Sequence, residues 1–188
     1  RMSYLIGENL TGGYGGTDVI RNCSIFVEKG EIAVVVGPNG AGKSTAMKAL
    51  LGMLKLRNGF VKLNGNDITN TSTQKRVAQG MAFVPQNQNI FANMTVEENL
   101  EMGAFLRRDD INETMEQVFE LFPVLKLKRK QLTGELSGGQ RQQVAVGRAL
   151  MTKPLVLMLD EPTAGVSPKV MDELFERILE IKKTGIAI

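Results

Sequence analysis

Three stretches of the chain are apolar at every position. They are Ile32-Ala33-Val34-Val35-Val36, Met81-Ala82-Phe83-Val84 and Leu155-Val156-Leu157-Met158-Leu159. A run with no polar face predicts a strand covered on both sides, as in a parallel sheet. Residues 3–10 and 23–28 carry a weaker strand pattern. Phe60-Val61-Lys62-Leu63 lies between the turn pairs Asn58-Gly59 and Asn64-Gly65, which predicts an antiparallel N-terminal sheet.

Other segments follow the helical period. Met47, Leu50, Leu51 and Leu54 are spaced i, i+3, i+4, i+7 and predict a helix over 43–55. Ile111, Met115, Val118, Phe119 and Phe122 share one helical face, as do Met171, Leu174, Phe175, Ile178 and Ile181. Thr95-Val96-Glu97-Glu98 reads as a capping box that starts a helix near Val96. Ser167 followed by Pro168 reads as the N-cap and first position of the last helix. Strands alternating with helices predict an α/β fold. The mostly helical stretch 87–135 interrupts that alternation and reads as an inserted lobe.

Composition acts mainly by exclusion. At roughly 150 residues per domain, a chain of 188 residues predicts one domain. With His 0 there is no histidine-based triad and no zincin site, and with Cys 1 no internal disulfide and no cysteine cluster. One cysteine suits a reducing compartment. Catalysis is left to carboxylates, lysine, hydroxyls, backbone amides or a hard metal ion. A net charge of +3 is too weak to imply nucleic acid. No apolar run approaches the roughly 18 residues of a membrane span, and the N-terminus has no apolar signal core. Lys126 to Lys130 is a cationic run for which a solvated helix end or loop is the simpler reading than a binding patch.

Gly37-Pro38-Asn39-Gly40-Ala41-Gly42-Lys43-Ser44 fits G-x-x-x-x-G-K-[ST], and Thr45 follows it. It stands between a predicted buried strand and a predicted helix, which is the context the motif needs. Glycines let successive N–H groups curl around an anion, and the helix N-terminus adds about half a positive charge. Lys43 supplies a point charge for the β- and γ-phosphates. The Ser44 hydroxyl suits magnesium (Mg2+), a hard cation that prefers oxygen.

Asp160-Glu161 ends the apolar run 155–159. At the C-terminal end of a parallel strand, carboxylates face the crevice where α/β proteins bind ligands. Asp160 is placed to hold magnesium and Glu161 to polarise an attacking water. Capping of the following turn is the alternative, which the phosphate loop upstream disfavours. Leu136-Ser137-Gly138-Gly139-Gln140 then forms a second small-residue loop before a predicted helix over roughly 139–151, again suited to an anion.

One nucleotide does not need two such cradles. L-S-G-G-Q with Arg141-Gln142-Gln143, then a buried strand and Asp-Glu, resembles the signature arrangement of ATP-binding cassette (ABC) ATPases, and the likeness covers almost the whole chain. The resemblance implies a P-loop core with a parallel sheet, an N-terminal antiparallel β-subdomain and an inserted α-helical subdomain. It divides the chain into a nucleotide-binding core over 1–86, a helical subdomain over 87–135, and the signature helix, metal-carboxylate strand and following helix over 136–188. It implies that Gln86 senses magnesium and the γ-phosphate, and that Tyr14 stacks on adenine. Tyr14 as an ordinary loop aromatic is the alternative, although Gly12, Gly13, Gly15 and Gly16 suggest an exposed, flexible setting.

The family's mechanism implies two cassettes paired head to tail. Each ATP lies between the phosphate loop of one and Ser137, Gly138, Gly139 and Gln140 of the other. The implied partners are a second cassette, integral membrane permease subunits and, indirectly, a solute-binding protein; the implied place is the cytoplasmic face of the membrane. Residues 89–100, with Met102-Gly103-Ala104 and the Gly165-Val166-Ser167-Pro168 ending, are similar to cassettes of branched-chain amino-acid importers. Ser167 departs from the aspartate of many members, which puts its usual contact across the dimer in doubt. A soluble ABC ATPase of the DNA-maintenance or translation type is the alternative function. The resemblance also implies a switch histidine past a further strand. Gly185-Ile186-Ala187-Ile188 reads as the start of that strand, so a C-terminal truncation or a substitution accounts for the absent histidine.

Overall fold

The computed structural model describes residues 4–29, 43–85, 90–105, 107–160, 169, 172, 176, 177, 179–181, 183 and 188, with the backbone alone at 43 and 44. The predicted strand 32–36 and the Ser167-Pro168 helix start lie outside these residues.

The N-terminal half is built on an antiparallel sheet. Strand β1 (Leu5–Tyr14) pairs with β2 (Thr17–Val27) and with β3 (Leu56–Leu63), which pairs with the short β4 (Asn66–Asp67), giving the order β2-β1-β3-β4. Gly15 and Gly16, both at positive φ, make the two-residue turn whose twist matches the flanking strands. The strands run further than the expected 3–10, 23–28 and 60–63. Asn58-Gly59, read from sequence as a turn, lies inside β3 opposite an irregularity in β1. The position at φ 92 requires glycine, because a Cβ there would stand 2.4 Å from the Asn9 carbonyl oxygen.

Helix α1 is Lys43–Leu51 and stops short of the expected residue 55. Gly52 at φ 81 ends it, and the Gly52 and Met53 N–H groups donate to the carbonyls of Ala49 and Lys48. Leu54 is buried beyond the helix, so its apolar spacing marked the core rather than another turn. A short helix α2 (Thr73–Ala78), absent from the sequence reading, follows the N-cap Ser72.

Strand β5 (Met81–Val84) and β6 (Val156–Leu159) pair in parallel, from Met81 opposite Val156 to Val84 opposite Leu159. Their alternating side chains serve two cores. Met81, Val156 and Met158 join a cluster with the antiparallel sheet and Ala49, Leu50 and Leu51 of α1. Ala82, Val84 and Leu157 face a second cluster, made by helices. Its helices are α3 (Val96–Gly103), α4 (Asn112–Leu121), α5 (Pro123–Leu127) and α6 (Gly138–Leu150), with one 3-10 turn at Thr133–Glu135.

The expected face of α4 is buried at Met115, Val118, Phe119 and Phe122, with Ile111 packed against it. The Thr95 capping box forms as read: Glu98 N–H donates to Thr95 Oγ1 at 3.1 Å and Thr95 N–H to Glu98 Oε1 at 3.0 Å. Of the last predicted helical face only Ile181 is among the described residues, and it is buried in the helical core.

Candidate functional site

The parallel pair fixes one end of the site. Val84 and Leu159 are paired at the C-terminal ends of β5 and β6, and the Asp160 N–H donates to the Val84 carbonyl at 3.0 Å. Asp160 is 7% exposed, a carboxylate buried at the edge where open α/β sheets bind ligands. Gln86 and Glu161 belong to the chain that leaves these two strand ends. They lie outside the described residues, as do Gly37, Pro38, Asn39, Gly40, Ala41 and Gly42.

Helices α1, α2, α5 and α6 carry no acid in the first turn, and of these α1 and α6 are the two that the motifs single out. Helix α1 opens with Lys43 and Ser44, and Thr45 is buried beneath them. Helix α6 opens with Gly138 and Gly139 after the N-cap Ser137. By contrast α3 carries Glu97 and Glu98 in its first turn and α4 carries Glu113. An acid there neutralises the positive end of the helix, so α1 and α6 keep a field that α3 and α4 spend on their own side chains.

The start of α6 is a second capping box. Gln140 N–H donates to Ser137 Oγ and Ser137 N–H to Gln140 Oε1, each at 3.2 Å. A serine hydroxyl has one proton and two acceptor sites. Ser137 accepts from the helix and keeps its O–H to donate outward. The box therefore orients the loop without using the group an anion would need.

Tyr14 ends β1 and is 52% exposed. It stands on a paired strand end, not in the flexible glycine loop expected from sequence. The ammonium of Lys48 on α1 lies 5.9 Å from its ring centroid. That contact ties the proposed adenine platform to the helix that starts at Lys43. A lone lysine inside a helix gives no sequence signal for it.

A buried seam joins the segment after Gln86 to the segment before Ser137, and the sequence reading missed it. Asn99 is fully buried, its Oδ1 accepting from Phe91 N–H at 2.8 Å. Its Nδ2 donates to Thr133 Oγ1 at 2.6 Å and to the Phe91 and Thr95 carbonyls at 3.0 Å. Thr133 Oγ1 donates to the Met94 carbonyl at 2.7 Å. The available signal was a polar residue on the same helix side as the buried Val96 and Leu100. Beside the seam, ion pairs with Arg129 and Lys130 lower the Glu97 pKa to about 2. Much of the 126–130 cationic run is thus engaged locally, with Lys126 paired to Glu116.

The donors fit magnesium. Asp160 offers buried carboxylate oxygen, and Ser44 stands in the first turn of α1. Among the described residues no three His, Cys, Asp or Glu cluster as a cage. Magnesium shared between one carboxylate and phosphate oxygens requires no such cage.

Residues 20–164 match the family described as ABC transporter. The chain is 39% identical over 176 residues to the high-affinity branched-chain amino acid transport ATP-binding protein BraG of Pseudomonas aeruginosa, covering 93% of this chain and 76% of that protein. It is 41% identical over 174 residues to a probable branched-chain amino acid transport ATP-binding protein, LivF, of Archaeoglobus fulgidus, covering 92% and 74%. Among solved structures it superposes on a nucleotide-free ATP-binding cassette from an ABC transporter with TM-score 0.86 and 33% identity, over 98% of this chain and 79% of that one. A cassette in its ADP conformation gives TM-score 0.84 and 35% identity, over 99% and 79%.

Proposed function

The chain belongs to the ABC transporter family, and from that membership we propose that it is the ATP-binding and ATP-hydrolysing subunit of an importer for branched-chain amino acids or a related small solute. The observation that carries the reading is the pairing of Val84 with Leu159, which brings Asp160 and the exits toward Gln86 and Glu161 to one sheet edge. Relatives described as transport subunits disfavour a soluble ATPase of DNA maintenance or translation.

In this reading the loop Gly37–Gly42, with Lys43, Ser44 and Thr45, cradles the phosphates of ATP. Ser44, Asp160 and Gln86 would hold magnesium, which when bound draws charge from the phosphate oxygens. Glu161 accepts a hydrogen bond from the attacking water and aligns it with the γ-phosphate. Tyr14 stacks on the adenine. Ser137, Gly138, Gly139 and Gln140 face a nucleotide held by the partner's Lys43, so a second cassette completes the site. Phosphoryl transfer needs little more than this positioning and charge.

The same reading takes 1–86 as the nucleotide-binding core, 87–135 as a helical subdomain and 136–188 as the signature and carboxylate segment. A helical cluster that takes in most of the buried apolar residues of 87–135 supports the helical subdomain, while β5 and β6 contribute to both clusters. Membrane permease subunits are the further partners, with a solute-binding protein acting through them. Exposed Phe91, Met102 and Phe105 support a permease contact. Phe91 lies against Arg148, whose guanidinium is 5.6 Å from its ring, and the Arg148 backbone packs on Gly103, next to Met102 in the chain. The chain then sits peripherally at the cytoplasmic membrane face. No helix of the described residues is long and apolar enough to cross a membrane.

Two variants test the chemistry. Lys43→Ala should lose ATP binding and turnover. Glu161→Gln should still bind ATP, hydrolyse it about 10²–10⁴ times more slowly, and elute as a dimer with ATP. Unchanged turnover in either variant would remove that residue from its role.

A further inference from the structure

Arg76 is among the least exposed residues described, at 2%. An arginine is seldom this buried unless paired with a carboxylate. Here every side-chain hydrogen bond described goes to backbone carbonyls. Nη1 donates to Ala49 O at 3.1 Å and to Leu50 O at 2.8 Å, both in the last turn of α1. Nε donates to Thr71 O at 2.9 Å and Nη2 to Thr69 O at 2.8 Å, both in the loop between β4 and α2. Gly52 supplies the room: a Cβ there would stand 2.8 Å from the guanidinium carbon.

We infer that Arg76 is a positioning residue for phosphate binding, fixing α1 at its far end so that its first turn meets the nucleotide in register. The inference rests on the reading of α1 as the phosphate helix. A nine-residue helix is about 13 Å long, so Arg76 cannot touch the nucleotide. It acts through the helix. A planar fork with donors on two sides holds the last carbonyls of α1 and a separate loop at once, which a point-charge ammonium cannot reproduce. Its positive charge also faces the negative end of the helix dipole, while phosphate would face the positive end. A helix released at one end shifts along its axis, and displacement by about 1 Å can cost 10²-fold in an aligned site.

The test uses the full chain at a temperature where circular dichroism shows every variant folded. Dissociation constants are read with a fluorescent ATP analogue, and KM and kcat for ATP by phosphate release. Arg76→Met should weaken nucleotide binding about tenfold or more, with KM rising in step. Arg76→Lys should recover part of that loss. Gly52→Ala, which crowds the guanidinium and leaves the charge in place, should weaken binding in the same direction. Met115→Ala, a core change in the helical cluster that holds no residue of α1, should lower the melting temperature and leave the dissociation constant unchanged.

Wild-type affinity in folded Arg76→Met overturns the inference. So does a Met115→Ala loss of affinity equal to that of Arg76→Met at matched melting temperature. If Arg76→Met does not fold, Gly52→Ala and Arg76→Lys decide, and wild-type affinity in both overturns it. A wild-type chain that binds no nucleotide defeats instead the reading of α1 on which the inference rests.

Discussion

Helices α1 and α6 are each proposed to open at an anion cradle, and each closes under an arginine, yet the two arginines are set differently. Arg76 holds the end of α1 with donors aimed only at carbonyls, deep in the core. Arg107 holds the end of α6 through the Met151 carbonyl at 2.8 Å and Thr114 Oγ1 at 3.0 Å, and its other donors go to Asp109. Asp109 is half exposed and also faces Lys153. The phosphate-side helix is therefore fixed by a buried device with no carboxylate in its described hydrogen bonds. The signature-side helix is fixed by an ion-paired device near the surface. In a cassette whose signature loop meets a partner's nucleotide, the softer anchor belongs to the helix that must adjust to another molecule.

Stability measurements break or keep this contrast most directly. Arg76→Ala takes the side-chain donor from the carbonyls of Leu50, Thr69 and Thr71, and one of two donors from Ala49 O, and should cost about 3 kcal/mol in urea unfolding. Arg107→Ala leaves chiefly Met151 O, and water reaches Asp109, so about 1–2 kcal/mol is expected. Equal losses would erase the difference between the two anchors.

A smaller effect separates α6 from α3, which begins with the same capping box. Ser137→Ala and Thr95→Ala each remove one N-cap acceptor and should each cost about 1 kcal/mol. Only Ser137 has a hydroxyl proposed to face nucleotide. Ser137→Ala should therefore also lose ATP-dependent dimerisation in gel filtration, which Thr95→Ala should keep. Loss in both would trace the defect to helix stability alone.

The box at Thr95 was legible because it is written within four residues, whereas the equally local box at Ser137 was read only as a small-residue loop before a helix. Strands β5 and β6 were legible because both faces are buried and the runs are apolar throughout. Arg76 was not legible, since a cation in a short polar helix reads as solvated until the fold brings four carbonyls to it. Asn58-Gly59 misled because a bulge and a turn both need positive φ, and only pairing with β1 distinguishes them. The length of β1 and β2 was hidden for the same reason. Local pattern gives a residue's own preference, whereas strand length depends on a partner distant in sequence. Of the proposed site, motif order named the residues, and the structure added what surrounds Asp160, Ser137 and Tyr14.

Acid should distinguish the two anchors by the smallest effect. Pairing with Arg107 lowers the Asp109 pKa strongly, and pairing with Arg129 and Lys130 brings Glu97 down to about 2. A carboxylate with a depressed folded pKa contributes its full stability above its unfolded value and loses it as pH falls through the folded one. For Glu97 that window runs from 4.5 down to about 2. Both carboxylates serve the α6 side, Asp109 at the helix end and Glu97 beside the seam that leads to Ser137. Arg76 has no carboxylate in its described hydrogen bonds to lose. The gap in melting temperature between the wild type and Glu97→Gln or Asp109→Asn, present at neutral pH, should therefore narrow on acidification. The gap to Arg76→Met should narrow less, because Asp67 acts on Arg76 only through space while its own hydrogen bonds go to Thr69. A gap to Arg76→Met that closes as fully as the other two would mean that Asp67 supports Arg76 as strongly as Asp109 supports Arg107, and the two anchors would be alike.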